Sequence, residues 1–227
     1  MTAARLLTEH TLRREVVDVA RSLHERGWVA NHDGNVTAKA APGRIVATST
    51  ALSKRLVDSI NLIVVDERGR VVGGRHRPFG ELAMHLAVYA ARDDVRAVVH
   101  AHPPHATALA TTGGSLECFL PEAVVSLGAN VPLVPLAPPG PKAVDALAPF
   151  LEAHDVVLLE SHGVLAWGPD PETAFLRLEL VEHLARIRAL ALPEGGPRRL
   201  SRELIAELLV ARTRAGLGPE ARRATKP

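Results

Sequence analysis

Two apolar, β-branched runs, each followed by a histidine, constrain the fold more than any other feature of this sequence. Residues 95–102 read VRAVVHAH and are closed by Pro103, and residues 155–168 read DVVLLESHGVLAWG, with a break at Ser161 to Gly163. Short apolar runs bounded by turn residues are typical of strands buried within a sheet. The sequence therefore predicts buried strands with histidines at their ends.

Helical and strand patterns alternate along the chain, which predicts an α/β domain. A helix is predicted over residues 8–27, where apolar residues recur at three- and four-residue spacing. Further helices are predicted over residues 78–92, 105–111, 141–153, 171–192 and 201–216, the last with Ser201 as its N-cap. Strands are predicted over residues 31–40 and 43–48, as a hairpin over 61–72, and as an edge strand over 131–137.

No composition shift marks a boundary, so residues 1–227 are predicted to form one domain. The ordered core is expected to cover about 10–210, and the basic C-terminal residues 216–227 are expected to be a flexible tail. The net charge of +2 is scattered rather than clustered, which argues against a nucleic-acid partner. No segment has the apolar length of a signal peptide or a membrane span, so we expect a cytoplasmic protein without a membrane partner.

The histidines after the first run have the spacing of a metal site. His100 and His102 are two residues apart in a predicted strand, so their side chains share one face. His162, at the end of another buried run, is the best candidate for a third ligand, whereas His105 is better interpreted as a pocket residue. On spacing and context alone, a metal site and ordinary polar histidines at strand ends are equally supported.

A carboxylate near the metal would complete a catalytic site, because three neutral imidazoles leave a divalent ion its charge and an open position. Glu81 lies in the first turn of the helix predicted from Pro78, where the helix dipole favours its ionised form. From the residues alone, a solvated surface glutamate is the simpler interpretation of Glu81.

The chain resembles the class II aldolase/adducin head family in three segments, GELAMHLAVYAARDDVRAVVHAHPPHATALA, LPEAVVSLGANVPLVPLAPPG and VVLLESHGVLAWG. L-fuculose-1-phosphate aldolase and L-ribulose-5-phosphate 4-epimerase are among its enzymes. The resemblance implies a three-layer α/β/α fold with a mostly antiparallel central sheet, usually as a homotetramer.

The resemblance also implies a site. It assigns one divalent metal ion, most commonly Zn²⁺, to His100, His102 and His162, and the role of catalytic acid/base to Glu81. Manganese, cobalt and iron(II) also suit three histidines. The implied activity is that of a metal-dependent class II aldolase, which cleaves a ketose or ketose phosphate through a metal-stabilised enediolate. The expected partner is therefore a small-molecule substrate.

Three elements hold phosphate in the sugar-phosphate members of the family, and this chain matches them only in part. The substrate-binding candidates that the resemblance gives are Gly34, Asn35, Thr50, Ala51, Phe79 and Gly80. Gly34 and Asn35 match, but Ala51 replaces a glycine, and Phe79 and Gly80 replace a pair of serines. Lys54, Arg75 and Arg77 are alternative sources of positive charge.

The tyrosines that donate protons in the family's aldolases are also absent, since Tyr89 is the only tyrosine and falls within a predicted helix. This departure keeps a second interpretation open, a metal-dependent decarboxylase of a hydroxylated aromatic or heteroaromatic acid. A sugar-phosphate 4-epimerase and a non-catalytic adducin-like module are the remaining alternatives.

Overall fold

The computed structural model describes residues 8–225. Its α-helices are α1 (Glu9–Glu25), α2 (Leu82–Ala91), α3 (Pro104–Thr111), α4 (Pro121–Leu127), α5 (Pro141–Leu147), α6 (Pro171–Ala191), α7 (Arg202–Arg214) and α8 (Gly218–Thr225). Its strands are β1 (Asn35–Ala41), β2 (Arg44–Ala47), β3 (Ile63–Val65), β4 (Val71–Gly73), β5 (Ala97–Ala101), β6 (Leu116–Glu117), β7 (Asn130–Val131), β8 (Leu133–Val134), β9 (Val156–Leu159) and β10 (Gly163–Gly168).

Eight of these strands form one sheet in the order β4-β3-β2-β1-β5-β10-β9-β8. Each neighbouring pair is antiparallel except β8 and β9, which are parallel. β6 and β7 form a separate two-stranded ribbon. The mostly antiparallel central sheet is thus confirmed, and β8 is the edge strand predicted within residues 131–137.

Helices cover both faces of the sheet, which explains why its central strands are apolar throughout. In β5, Val99 belongs to a core cluster that includes residues of α1, α3 and α6, while Val98 belongs to a second cluster that includes residues of α2 and α5. Successive side chains of a strand point to opposite faces of the sheet. When both faces are buried, apolar residues therefore occupy every position of the strand and do not alternate with polar ones. The expected three-layer α/β/α architecture is confirmed.

The helix ends follow the local sequence. Ser201 is the N-cap of α7, as predicted, and its Oγ accepts a hydrogen bond from the backbone N–H of Leu204 at 3.2 Å. Helix α2 begins at Leu82 rather than at Pro78, so Glu81 is its N-cap residue. The carbonyl of Arg77 accepts from the backbone N–H of Thr50, and Gly80 is a weak helix former, so the segment before α2 is not helical. Within residues 8–225, no helix is both long and apolar enough to cross a bilayer.

The C-terminal segment differs from the flexible tail that the sequence predicts. Residues 218–225 form α8, while residues 226–227 lie outside the described part of the chain. The side chain of Arg222 donates to the carboxylate of Asp155 at 3.2 Å and to the carbonyl of Glu152 at 2.6 Å. One of the basic residues that suggested a solvated tail, Arg222, thus attaches α8 to the rest of the fold.

Asp155 is the centre of a buried charge cluster. Its carboxylate accepts hydrogen bonds from Arg92 at 2.8 Å, Arg212 at 2.9 Å and Arg222 at 3.2 Å, and Arg177 lies at 3.6 Å. Burial alone would raise the pKa of Asp155, but the surrounding guanidinium groups lower it below its usual value. The cluster therefore connects β9 to α6, α7 and α8 through one ionised carboxylate.

We predict that Asp155→Ala lowers the free energy of unfolding by about 3–5 kcal/mol, because it leaves several buried guanidinium groups without their counter-charge. Asp94→Ala is the matched control, since Asp94 also binds Arg92 but its side chain is half exposed, and a loss below about 1 kcal/mol is expected there. Urea denaturation measures both variants. Equal losses would contradict a central role for Asp155.

Candidate metal centre

The pairing of β5 with β10 brings the three candidate ligands together. In this antiparallel pair Ala101 lies opposite Val164, so the end of β5 meets the start of β10. His100 lies within β5, His102 directly follows its last residue and His162 directly precedes β10. His102 and His162, which are 60 positions apart in the sequence, thus meet where two central strands of the sheet end and begin.

The three imidazoles have the spacing that a single ion requires. The Nε2 atoms of His100 and His102 are 3.1 Å apart. The ring centroid of His162 lies 4.6 Å from that of His100 and 4.9 Å from that of His102. One nitrogen atom from each of the three rings lies within 4.8 Å of the other two nitrogen atoms. Two nitrogens bound to one tetrahedral zinc at its usual bond length are about 3.3–3.4 Å apart. The donor set therefore fits a divalent cation.

The surroundings of His100 and His102 favour their neutral forms, and a backbone carbonyl orients the His100 ring. His100 Nδ1 donates to the carbonyl of Val164 at 2.9 Å, which leaves the Nε2 lone pair toward His102. Burial lowers the pKa of His100 well below its usual value, and the neighbouring histidines lower it further. Burial, and then the charge of His162, lower the pKa of His102 as well. A neutral imidazole is the form that binds a metal.

Gly163 permits the close approach of the two strand ends. A Cβ atom at Gly163 would overlap the carbonyl oxygen of Ala101 and would lie 2.7 Å from Cδ2 of His102. Real Cβ atoms do not come so close to backbone atoms, so any other residue would push β10 or His102 away. The glycine after His162 is therefore required by the packing of the site.

Glu81 lies beside the three histidines. Its Oε1 atom is 3.9 Å from Nε2 of His162, and its Oε2 atom accepts a hydrogen bond from Nδ2 of Asn35 at 3.2 Å. Asn35 is itself buried and lies opposite His100 in the β1–β5 pairing. The amide oxygen of Asn35 has no hydrogen-bond partner among the described residues. The sheet register therefore places a carboxylate and an amide next to the triad.

Comparison with known proteins agrees with this arrangement. A family model described as Class II Aldolase and Adducin N-terminal domain matches residues 14–189. The chain belongs to the class II aldolase and adducin family. Class II aldolases use a divalent metal ion, and the triad of this chain has the geometry for one.

Within the family, the chain is similar to proteins with two different activities. It is 29% identical over 175 residues to an L-fuculose phosphate aldolase of Methanococcus maripaludis, covering 76% of this chain and 93% of that protein. It is 32% identical over 185 residues to a 3-oxo-tetronate 4-phosphate decarboxylase of Escherichia coli strain K12, covering 79% and 86%. Both are lyases, so the chain is similar to family members that break carbon–carbon bonds.

Solved structures of the family have the same fold. An L-fuculose 1-phosphate aldolase superimposes with a TM-score of 0.83 at 26% identity, covering 91% of this chain and 98% of that one. YgbL from Escherichia coli, described as a putative aldolase/epimerase/decarboxylase, gives a TM-score of 0.82 at 30% identity, covering 88% and 98%.

The two loops that the sequence led us to expect at the phosphate, around Gly34 and around Ala51, lie at the same end of the sheet. Gly34 has φ +74°, and a Cβ there would overlap Val29 and lie 3.1 Å from the carbonyl oxygen of His100. Ala51, in place of the family's glycine, still adopts a left-handed φ of 56°. Ala51 thus holds a left-handed conformation that favours glycine, at the cost of some strain.

Lys54 joins the two loops, which the sequence did not indicate. Its side chain is buried, and Nζ donates to the carbonyls of His32 at 2.9 Å and Leu52 at 3.1 Å. Burial lowers the pKa of Lys54 to about 8, although the carboxylates of Asp33 and Glu81 act in the opposite direction. The loops that carry Gly34 and Ala51 therefore share one buried cationic group.

Other predicted site residues lie elsewhere. The Phe79 ring is buried in the core beneath α2, with its centroid 5.1 Å from that of His85, so its side chain does not face the triad.

Arg75 and Arg77 are exposed. His105 lines a different cavity and its Nδ1 lies 2.7 Å from Glu182. Tyr89 is buried and bonds Thr37 at 2.8 Å, as expected of a core residue.

Two acidic residues near the triad were missed by the sequence analysis. Asp33 Oδ2 lies 3.7 Å from Nδ1 of His102, on the side of that ring away from the His100 contact. Glu160 lines the same cavity as Glu81 and His162. The available signal was position, because Asp33 directly precedes the Gly34 and Asn35 pair and Glu160 stands two residues before His162.

We predict that Gly163→Ala reduces bound metal per subunit at least tenfold, because its Cβ displaces His102 or the start of β10. Gly80→Ala is the matched control, since a Cβ at Gly80 meets no atom within 4 Å, and its metal content is expected to be unchanged. Elemental analysis of the purified folded proteins measures both. Full metal occupancy in Gly163→Ala would contradict the required approach of the strands.

Proposed function

We propose that this protein is a metal-dependent class II aldolase that cleaves a ketose or ketose phosphate into two carbonyl products. The observation that supports it is the combination of three imidazoles within reach of one ion and a carboxylate at 3.9 Å from one of them. An ion there needs a nearby proton-transfer group to break a bond to carbon, and Glu81 is that group.

His100, His102 and His162 would hold the ion, and we propose zinc, although manganese, cobalt and iron(II) also suit these ligands. When bound, the ion supplies an electrophilic centre for a carbonyl and a neighbouring hydroxyl oxygen and offsets the negative charge that develops during cleavage.

Glu81 transfers the proton at carbon. In cleavage, the proton of the substrate hydroxyl passes through water to the Glu81 carboxylate, the carbon–carbon bond breaks to release an aldehyde, and the bonding electron pair stays on the other fragment, which becomes an enediolate. Glu81 in its protonated form donates to the enediolate carbon, and in the reverse direction its carboxylate removes that proton. The hydrogen bond from Asn35 to Oε2 orients the carboxylate so that Oε1 is free for this transfer.

The anionic end of the substrate is assigned to the loops joined by Lys54. The substrate-binding candidates there are Gly34, Asn35, Thr50 and Ala51, whereas Gly80 lines the cavity beside Glu81 and His162. The buried Lys54 ammonium gives this region a positive potential, which favours a phosphate or carboxylate group. Phe79 contributes through its backbone position only, since its ring is buried.

A decarboxylase is the second candidate, and one observation favours it. The single tyrosine, Tyr89, is buried in the core, so this chain has no tyrosine to transfer a proton to or from the leaving aldehyde. Loss of carbon dioxide needs no such group. The named decarboxylase relatives suggest a 3-oxo acid as substrate, and a hydroxylated aromatic acid is the other substrate class. A 4-epimerase would also need the metal ion and its three histidine ligands, whereas a non-catalytic module would not need the triad.

We predict that Glu81→Gln retains stoichiometric metal and lowers kcat by about 10²–10⁴-fold, because the amide cannot transfer a proton. His100→Ala is expected to lose both metal and activity. Elemental analysis and steady-state kinetics on the same preparations separate the two effects. A Glu81→Gln variant with an unchanged rate would assign the acid/base role to another residue.

Aldolase and decarboxylase are distinguished by their products. We expect the zinc-loaded protein to release aldehyde from ketose 1-phosphates and no carbon dioxide from 3-oxo acid phosphates or hydroxyaromatic acids. Both products are measured in parallel on one substrate panel, with Glu81→Gln as the background control. Carbon dioxide release without aldehyde release would replace the aldolase assignment with the decarboxylase.

We further propose that the active protein is a homotetramer. Light scattering of the purified zinc-loaded protein, with elemental analysis of the same sample, tests both the subunit number and the ratio of one ion per subunit.

A further inference from the structure

We propose that the cavity beside Glu81 and His162 is a subsite for an uncharged, apolar part of the substrate, so that the aldehyde released is an alkyl or aryl aldehyde and not a polyhydroxylated one. The inference rests on the proposed aldolase function, because it identifies the fragment that lies next to the reacting centre. The subsite would bind the end of the substrate that is opposite to the anionic group.

The cavity opens directly onto the candidate reaction centre. It is partly open to solvent, and Glu81 and His162 both form part of its wall. A fragment attached to a carbonyl held between the triad and Glu81 therefore has this space within reach.

The walls of this cavity are largely apolar. Side chains from α2, β8, β9, α5 and the segment between β8 and α5 contribute; they are Ala83, Met84, Val134, Pro135, Leu136, Ala137, Pro139, Ala143 and Leu159. A substrate hydroxyl buried against such a wall loses its hydrogen bonds to water without replacement, which is unfavourable. An alkyl or aryl group gains from the same burial.

The charges of the cavity also disfavour an anion. Among the described residues that line it, the charged or titratable side chains are Glu81, Glu160 and His162, and neither lysine nor arginine is present. Glu160 Oε2 accepts a hydrogen bond from the backbone N–H of Leu136 at 2.8 Å, so this carboxylate is held at the wall. A phosphate or carboxylate group would be repelled here, whereas Lys54, which does not line the cavity, favours an anion at its own loops.

Binding of hydroxamates to the zinc-loaded protein tests the subsite without catalysis. The hydroxamate group chelates the ion, and its carbon chain extends from the reacting centre. We expect calorimetry to show tighter binding along the series from acetohydroxamate to hexanohydroxamate, by up to about fourfold for each methylene group buried. Gluconohydroxamate, which has a six-carbon polyol chain, is expected to bind no better than acetohydroxamate.

A pair of exposed leucines provides matched variants that preserve the core. Leu136→Glu changes a cavity wall residue that is 66% exposed, and Leu190→Glu changes a residue on α6, outside the cavity, that is 69% exposed. We expect Leu136→Glu to remove most of the increase in hydroxamate affinity with chain length. Its affinity for acetohydroxamate and its metal content are expected to be unchanged. Leu190→Glu is expected to retain the full gain. Ala143→Trp, which fills the cavity, is a second test of the same gain.

Three results would overturn the subsite. They are equal affinity along the alkyl series, tighter binding of the polyol than of the alkyl chain, and a Leu136→Glu variant that dissociates the assembly while the gain with chain length persists. The last result would identify the cavity as a contact between copies of the chain.

Aldol synthesis distinguishes this failure from failure of the proposed function. Dihydroxyacetone phosphate is supplied with butanal or with glyceraldehyde, and we expect at least a tenfold higher kcat/KM for butanal. Efficient turnover of glyceraldehyde alone keeps the aldolase and overturns the subsite. Hydroxamate selectivity with no aldol activity toward either aldehyde keeps the subsite for binding and overturns the aldolase.

Discussion

The antiparallel hydrogen bonding between β5 and β10 is the interaction on which the candidate site depends. It brings the end of one buried strand against the start of the next, and His102 and His162 occupy those two ends, beside His100 within β5. A shift of one residue in this register would turn His100 to the opposite face of the sheet. The same strands carry much of the core, so the geometry of the metal ligands is maintained by the packing that stabilises the fold.

Strained backbone is concentrated around this point. Among residues 8–225, the non-glycine residues with positive φ are Asn31, Ala51 and Ser161. Asn31 and Ala51 each precede a residue whose carbonyl binds Lys54, and Ser161 precedes His162. Such conformations cost about 1–3 kcal/mol each and persist only where the surrounding structure enforces them. The buried ammonium and the close packing at Gly163 are the contacts that enforce them here.

Much of the fold could be predicted because burial acts through local patterns. The strand that ends in His-x-His, the edge strand near residue 133 and the cap at Ser201 all follow from periodicity and capping chemistry. The features that the sequence did not indicate concern side chains whose partners are distant in sequence. The Phe79 ring enters the core, and Arg222 binds Asp155, 67 residues away, so the segment expected as a tail includes a helix.

The sequence by itself determined which chemistry is available, because residue type and spacing supply imidazoles, a carboxylate and the family resemblance. Only the tertiary structure decided how those groups are combined. The positions of Asn35 against Glu81, of Lys54 between two loops and of Glu160 in an apolar cavity depend on strand order and register. These are set by long-range backbone pairing, and local sequence carries little information about which strands become neighbours.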